Sequence, residues 1–352
     1  MLTLALSLLW AIPAQPPASI DLSQAVVVTR PGKLPAAEAV ASTVLLEEIA
    51  KRTGVSLKTT SQWPAGDSPV IALAITETEN PWADQITGPK PSTKPESFSI
   101  AVSANGGQRP RVDVLGRDGR GVLFGVGRLL RALELGKGKV KLGHRFVAQE
   151  SPDVPIRGHQ IGYRARANSW DAWTVAQFDQ HFRELAIFGA NCVENIPFED
   201  NDPSPHFKLP RDEMNLRFAE LCDRYDLDHW VWVPVQIKLP APQGEQEFLA
   251  RQEAFYKACK RLDAVFVPGG DPGDNHSKDL VPFLEKMAAS VARHHPKAKV
   301  WLSLQGFKKA DIDHFYAYVD DKKPDWLGGV VMGPSSPPLE ETRNRLDKRY
   351  TI

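Results

Sequence analysis

The 352-residue sequence has little cysteine, no excess of charge and no long apolar run, and each shortage closes off a class of protein. Cys192, Cys222 and Cys259 are odd in number and widely spaced, with no CxxC pair. They outline neither a zinc site nor a disulfide framework, and their apolar surroundings mark them as buried thiols. Lysine and arginine number 43 against 43 aspartates and glutamates, so no net field draws the chain to nucleic acid or an anionic membrane. No stretch reaches the roughly 18 apolar residues of a membrane-spanning helix.

Several catalytic signatures are missing as well. Gly116-Arg117-Asp118-Gly119-Arg120-Gly121 lacks the Gly-Lys-Ser/Thr of a phosphate loop and reads as a tight turn opening a helix. There is no HExxH, and His294-His295 belongs to a helix end, so no metal is implied. No G-x-S-x-G elbow exists for an acyl-enzyme. Nothing calls for a cofactor. Asn275-His276-Ser277 fits the glycosylation triplet, which matters only in a eukaryotic secretory pathway.

What is present begins with Met1–Ala14, an apolar stretch followed by the small, proline-containing run QPPAS. It reads as a secretory signal ending near residue 19, although no Lys or Arg precedes it, and it implies a secreted or periplasmic protein. Residues 20–150 then alternate as β-α-β-β-β-α. Ala25–Thr29 and Val70–Ile75 flank a helix over Ala36–Thr53 whose stripe is Val40, Val44, Leu45 and Ile49. Phe98–Val102 and Val112–Leu115 are joined by the turn-rich Asn105-Gly106-Gly107, and a second helix spans Val122–Leu135. This describes a small α+β domain.

From residue 151 the rhythm changes. Apolar strand patterns begin at Ile156, Asn191, His229, Asp263, Lys299 and Gly328, with helical patterns between most of them, such as Val175–Phe188 and Leu280–His294. Strand and helix alternating in this way predict an α/β domain of parallel strands, with a TIM-type (β/α)8 barrel as the leading architecture and an open doubly wound sheet as the alternative. Six units fall short of eight, which leaves an incomplete barrel or a chain cut short.

In such a domain the chemistry gathers at the C-terminal ends of the strands. The first strand leads to His159, Gln160, Tyr163, Arg164 and Arg166, the second to Glu194, Glu199, Asp200 and Asp202. The third leads to Trp230 and Trp232, the fourth to Gly269-Gly270-Asp271-Pro272, the fifth to Ser303 and Gln305. Carboxylates with flat aromatic faces suit a saccharide. Each has a plainer reading: the acidic run after the second strand fits a solvated loop, Asp271 a turn or helix cap, and Arg164 a structural ion pair. Trp230 and Trp232 are expected to divide, one toward the barrel mouth and one into packing under the helices.

These residues resemble a known group. LLEEIAKRTG, ESFSIAV and VLGRDGRGVLFGVGRLLRAL are similar to the N-terminal domain that precedes the barrel in exo-acting glycoside hydrolases of the β-N-acetylhexosaminidase and α-glucuronidase families. VPIRGHQIGYR looks like the hexosaminidase first strand, with Arg157-Gly158 in its Arg-Gly place and Arg164 nearest to its sugar-binding arginine, one residue short of that spacing. FGANCVENIPFED resembles the second-strand pattern and sets Glu199 and Asp200 on its paired acids. Gly269-Gly270-Asp271 matches the Gly-Gly-Asp-Glu that ends the fourth strand, where the Asp orients the substrate acetamido group and the Glu is the general acid. Pro272 stands in place of that acid.

The resemblance runs from about Val26 to Gly333. It implies a glycosidase using Asp271 with Glu199 or Asp202, and a substrate site of Arg164, His159, Tyr163, Glu194, Asp200, Trp232 and Gln305 on an oligosaccharide or glycoside. The alternatives are a non-catalytic carbohydrate-binding protein or an inactive fragment of a longer glycosidase.

Overall fold

The computed structural model describes residues 19–76, 78–103, 109–161, 169–195 and 205–352. The expected signal segment and the expected turn at Asn105-Gly106-Gly107 lie outside the described residues. The chain forms two compact units, one of the residues up to Leu34 with Ala41–Ser151, the other of Pro152–Ile352 with Pro35–Val40.

The first unit holds strands β1 (Ser19–Asp21), β2 (Val26–Thr29), β3 (Lys58–Thr60), β4 (Val70–Ile75), β5 (Phe98–Ser103), β6 (Arg111–Gly116), β7 (Glu134–Gly136), β8 (Lys139–Gly143) and β9 (Val147–Glu150). Two helices accompany them, α1 (Ala36–Thr53) and α2 (Gly119–Ala132). Six strands form a mixed sheet in the order β3-β2-β4-β6-β5-β9, and β1, β8 and β7 form a small antiparallel one. β4, VIALAI, is buried along its whole length, as a central strand covered on both faces must be. α2 starts earlier than its apolar pattern because Asp118 caps it, accepting from Gly121 N at 2.9 Å. The glycine-rich run is thus a helix entry: a Cβ on Gly121 would sit 2.3 Å from Ser97 O.

The second unit alternates β10 (Gly158–Gln160), α3 (Val175–Ile187), β11 (Cys192–Asn195), α4 (Arg211–Tyr225), β12 (Asp228–Trp232), α5 (Pro242–Ala258), β13 (Ala264–Val267), α6 (Ser277–His294), β14 (Lys299–Ser303), α7 (Lys309–Lys322), β15 (Leu327–Val331) and α8 (Leu339–Arg345). The six strands pair in parallel and in chain order, β10 to β15. Thr351 adds a single parallel bridge to Gly329 at the β15 side. Among the described residues the sheet does not close into a ring.

Side-chain alternation gives this sheet two different faces. Val231, Val265, Val267, Val300, Leu302 and Val330 join the helix stripes in one core, to which α6 contributes Leu280, Leu284, Met287 and Val291 at helical spacing. The opposite face carries Trp230, Trp232, Ala264, Phe266, Trp301 and Val331.

An ionic node pins the N-terminal ends of the strands. The Arg261 guanidinium reaches Asp226 at 2.6 Å, Asp228 at 2.9 Å and Asp263 at 2.7 Å. The buried His229 places Nδ1 2.7 Å from Arg261 O and Nε2 2.9 Å from Asn195 Nδ2. Burial pushes its pKa down to about 4, so the ring is neutral, donating to the Arg261 carbonyl and accepting from the Asn195 amide. Cys192, Cys222 and Cys259 are buried free thiols.

Candidate functional site

The site is built by register. Gln160 aligns with Glu194, Glu194 with Trp230, and Trp230 with Ala264; one step up, Trp232 aligns with Phe266, Phe266 with Trp301, and Trp301 with Gly329. Aligned residues of parallel neighbours share a face, so Gln160, Glu194 and the indoles lie on the side away from the helix core. The rings of Trp230 and Trp301 meet at 4.8 Å across the small Ala264. Trp301 in turn lies over the next strand, where a Cβ on Gly328 would sit 2.4 Å from its Nε1.

The expected division of Trp230 and Trp232 does not occur. Residues two apart on a strand point the same way, and both indoles join Phe266 and Trp301. By the same rule His159, one residue before Gln160, turns to the helix-covered face. There it packs against His181 of α3, with ring centroids 5.1 Å apart, and against Trp170 at 5.4 Å. Burial lowers the pKa of both histidines, and His159 adds to the effect on His181. His159 is therefore a packing residue on the wrong side of the sheet to share a ligand with Glu194.

Glu194 is the penultimate residue of β11. Its side chain keeps some solvent access, yet protein surrounds the carboxyl on most sides, and this desolvation pushes its pKa up to about 7. The opposing influence is one hydrogen bond, from Gln160 Nε2 to Glu194 Oε1 at 2.9 Å. A strand-borne carboxyl beside indoles can hold a proton at neutral pH.

Asp271 stands past the end of β13, exposed, and its position is fixed by backbone. Gly270 N donates to Gln305 O at 2.9 Å, and Asn275 N donates to Gly270 O at 3.1 Å. Gln305 then turns its amide to Asp271, Nε2 donating to Oδ2. The glycines serve this close approach: Gly269 has φ +66°, and a Cβ there would sit 2.4 Å from Gln305 O. The Gly-Gly pair thereby brings two strand ends together.

The next loop is stitched by Asn275, buried, which donates to Ile237 O at 2.9 Å and accepts from Leu239 N at 2.8 Å. Its amide is committed inside the fold, which removes it as a glycosylation acceptor in the folded chain.

The structure thus brings Glu194 and Trp232 to one face, and ties Asp271 to Gln305 at the strand ends. Tyr163, Arg164, Glu199, Asp200 and Asp202 lie outside the described residues. Phe266 and Trp301 were not among the expected site residues, and Gln160 was placed at its strand end without a role. A period-two reading of the aligned strands would have found them. Among the described residues no three His, Cys, Asp or Glu side chains gather to hold a metal ion, and no helix is long and apolar enough to cross a membrane. A cavity of about 430 Å³ in the first unit is lined by Ser23–Val26, Gly54–Lys58, Ser68 and Gly138, without a carboxylate or an aromatic ring.

No family pattern and no curated protein sequence matches the chain. Solved structures do resemble it. CpGH84D aligns with a TM-score of 0.62 over 94% of this chain and 56% of its own, at 13% identity. BtGH115A, a family GH115 4-O-methyl-α-glucuronidase with specificity for decorated arabinogalactans, gives 0.58 over 85% and 44%, at 14% identity. A mutant Streptomyces plicatus β-hexosaminidase in complex with the product GlcNAc gives 0.58 over 91% and 71%, at 12% identity. These neighbours are glycoside hydrolases, and the likeness at such identities is one of fold. The chain spans about half the length of the first two.

Proposed function

We propose that this chain is an exported glycoside hydrolase that cleaves O-glycosidic bonds by carboxylate chemistry, on six strands of a (β/α)8-type barrel. The observation that carries this reading is Asp271, anchored by Gln305 at the C-terminal end of β13, together with the carboxyl of Glu194 on the aromatic strand face. Indoles suit the apolar faces of a sugar ring, and a pair of carboxyls suits the acid and the ionic partner that glycosidic cleavage needs. The second carboxyl comes from β11 or the segment after it, which holds Glu194, Glu199 and Asp202. Arg164, Tyr163 and Asp200 complete the substrate site.

The fold neighbours favour an exo-acting enzyme of hexosaminidase or α-glucuronidase type. The second reading, a carbohydrate-binding protein without turnover, is favoured by one residue, Pro272, which follows Asp271 where a general acid is expected.

A panel of aryl glycosides carrying N-acetylglucosaminide, glucuronide, glucoside and galactoside tests the proposal. Turnover of at least one by the wild type is expected, with kcat lowered about 10²–10⁴-fold in Asp271→Asn. Turnover unchanged in both Asp271→Asn and Glu199→Gln would refute the assignment, and saccharide binding by calorimetry without turnover would establish the binding protein instead.

A further inference from the structure

We infer that Glu194 is the proton donor of the glycosidic step, taking over from the strand-end position that Pro272 occupies. This rests on the glycosidase reading above. Glu194 lies one residue from the end of β11, as Phe266 lies one residue from the end of β13, and the two share the face that bears the indoles. A carboxyl retained there only for structure would be expected to face a cation or several N–H donors. Glu194 instead accepts one described hydrogen bond, from Gln160, and no charge on β10, β12 or a covering helix is among the influences on it. Because Gln160 donates to Oε1, Oε2 is the atom left to carry the proton. With a pKa of about 7, a large fraction of molecules hold that proton at neutral pH.

The step balances. The bond from the anomeric carbon to the glycosidic oxygen breaks with its electron pair on the oxygen, which takes the proton from Oε2 and leaves as an alcohol. Water forms the new bond at the anomeric carbon, and the proton it releases recharges Glu194.

A general acid is needed in proportion to how poor the leaving group is. The experiment compares wild type and Glu194→Gln on two glycosides of whichever sugar the panel selects, one with a 2,4-dinitrophenyl and one with a methyl leaving group. The methyl glycoside should lose about 10²–10⁴-fold in turnover, while the dinitrophenyl glycoside, which departs without a proton, should stay within about tenfold. The wild-type profile on the methyl glycoside should fall on an alkaline limb near pH 7, and that limb should be absent for both proteins on the dinitrophenyl glycoside, whose leaving group needs no proton.

Gln160→Leu provides a second handle. It removes the N–H that favours the anion, so the limb should move to higher pH. Equal losses on both leaving groups, or no loss on either, would overturn the assignment while the glycosidase reading stands. A wild type inert toward the whole panel would overturn both.

Discussion

Glu194→Gln also perturbs the protein in a way that needs no substrate. Desolvation raises the carboxyl from 4.5 to about 7 in the folded chain. Folding therefore favours the protonated form: the contribution is full below about pH 4.5 and is lost as pH rises through 7. At 1.36 kcal/mol for each pKa unit the loss is about 3 kcal/mol, and residual solvent access at the side chain trims it toward ~2 kcal/mol. Glutamine keeps the shape and cannot ionise, so it escapes the loss. At pH 8 the variant should be about 2–3 kcal/mol more stable than the wild type, and near pH 4.5 the two should agree within about 1 kcal/mol. For a unit of roughly 200 residues this corresponds to a Tm gain on the order of 5–10 °C at pH 8. Urea denaturation followed by tryptophan fluorescence at both pH values reads the difference, since Trp170, Trp173, Trp230, Trp232, Trp301 and Trp326 all belong to the second unit. Parallel stability curves for wild type and variant from pH 4.5 to 8 would refute the claim that burial holds the proton on Glu194.

Two further substitutions probe the frame around the site. Arg261→Leu leaves Asp226, Asp228 and Asp263 near one another without the guanidinium and, because the carboxylates keep part of their solvent, should cost about 2–3 kcal/mol in urea denaturation at neutral pH. A loss below about 1 kcal/mol would mean that the node is ornamental. Gly269→Ala places a methyl at φ +66° against Gln305 O, which should cost about 1–3 kcal/mol and, by displacing Gln305, lower turnover along with Asp271→Asn. Unchanged stability and turnover in that variant would show that the two strand ends can separate freely.

Much of the second unit is legible because a parallel strand under helices is an apolar run, and a helix beside it has a 3.6-residue stripe. All six strands fall within two residues of their expected starts. The first unit is less legible: β1, β3, β7, β8 and β9 are short and lack an apolar run, so only their pairing identifies them. For the site, residue type pointed to Asp271, Glu194, Trp232 and Gln305, but facing decided which could act together. His159 is one residue from Gln160 and on the opposite face, and Trp230 and Trp232 share a face that was expected to divide them. The partnership of Gln305 with Asp271 links residues 34 apart in sequence and could not be read from spacing.

In the proposed barrel-type arrangement the two carboxyls of a glycosidase can come from different strands, because the catalytic groups of a barrel gather at the strand ends whichever strands carry them. On the glycosidase reading, a proline after Asp271 need not end the chemistry, provided another strand offers a carboxyl whose surroundings hold a proton. The strand end at Asp271 is exposed and bound to an amide donor, whereas Glu194 is largely desolvated, aligned with Trp230 of the next strand, and accepts from one amide. Two carboxyls in such unlike surroundings are the condition for dividing acid and ionic roles between them. On the glycosidase reading the aromatic face serves twice: Trp230 and Trp232, both partly exposed, are the rings placed to meet a sugar, with Trp301 buried beside Trp230, and the apolar surroundings of Glu194, to which the aligned Trp230 belongs, favour its protonated form.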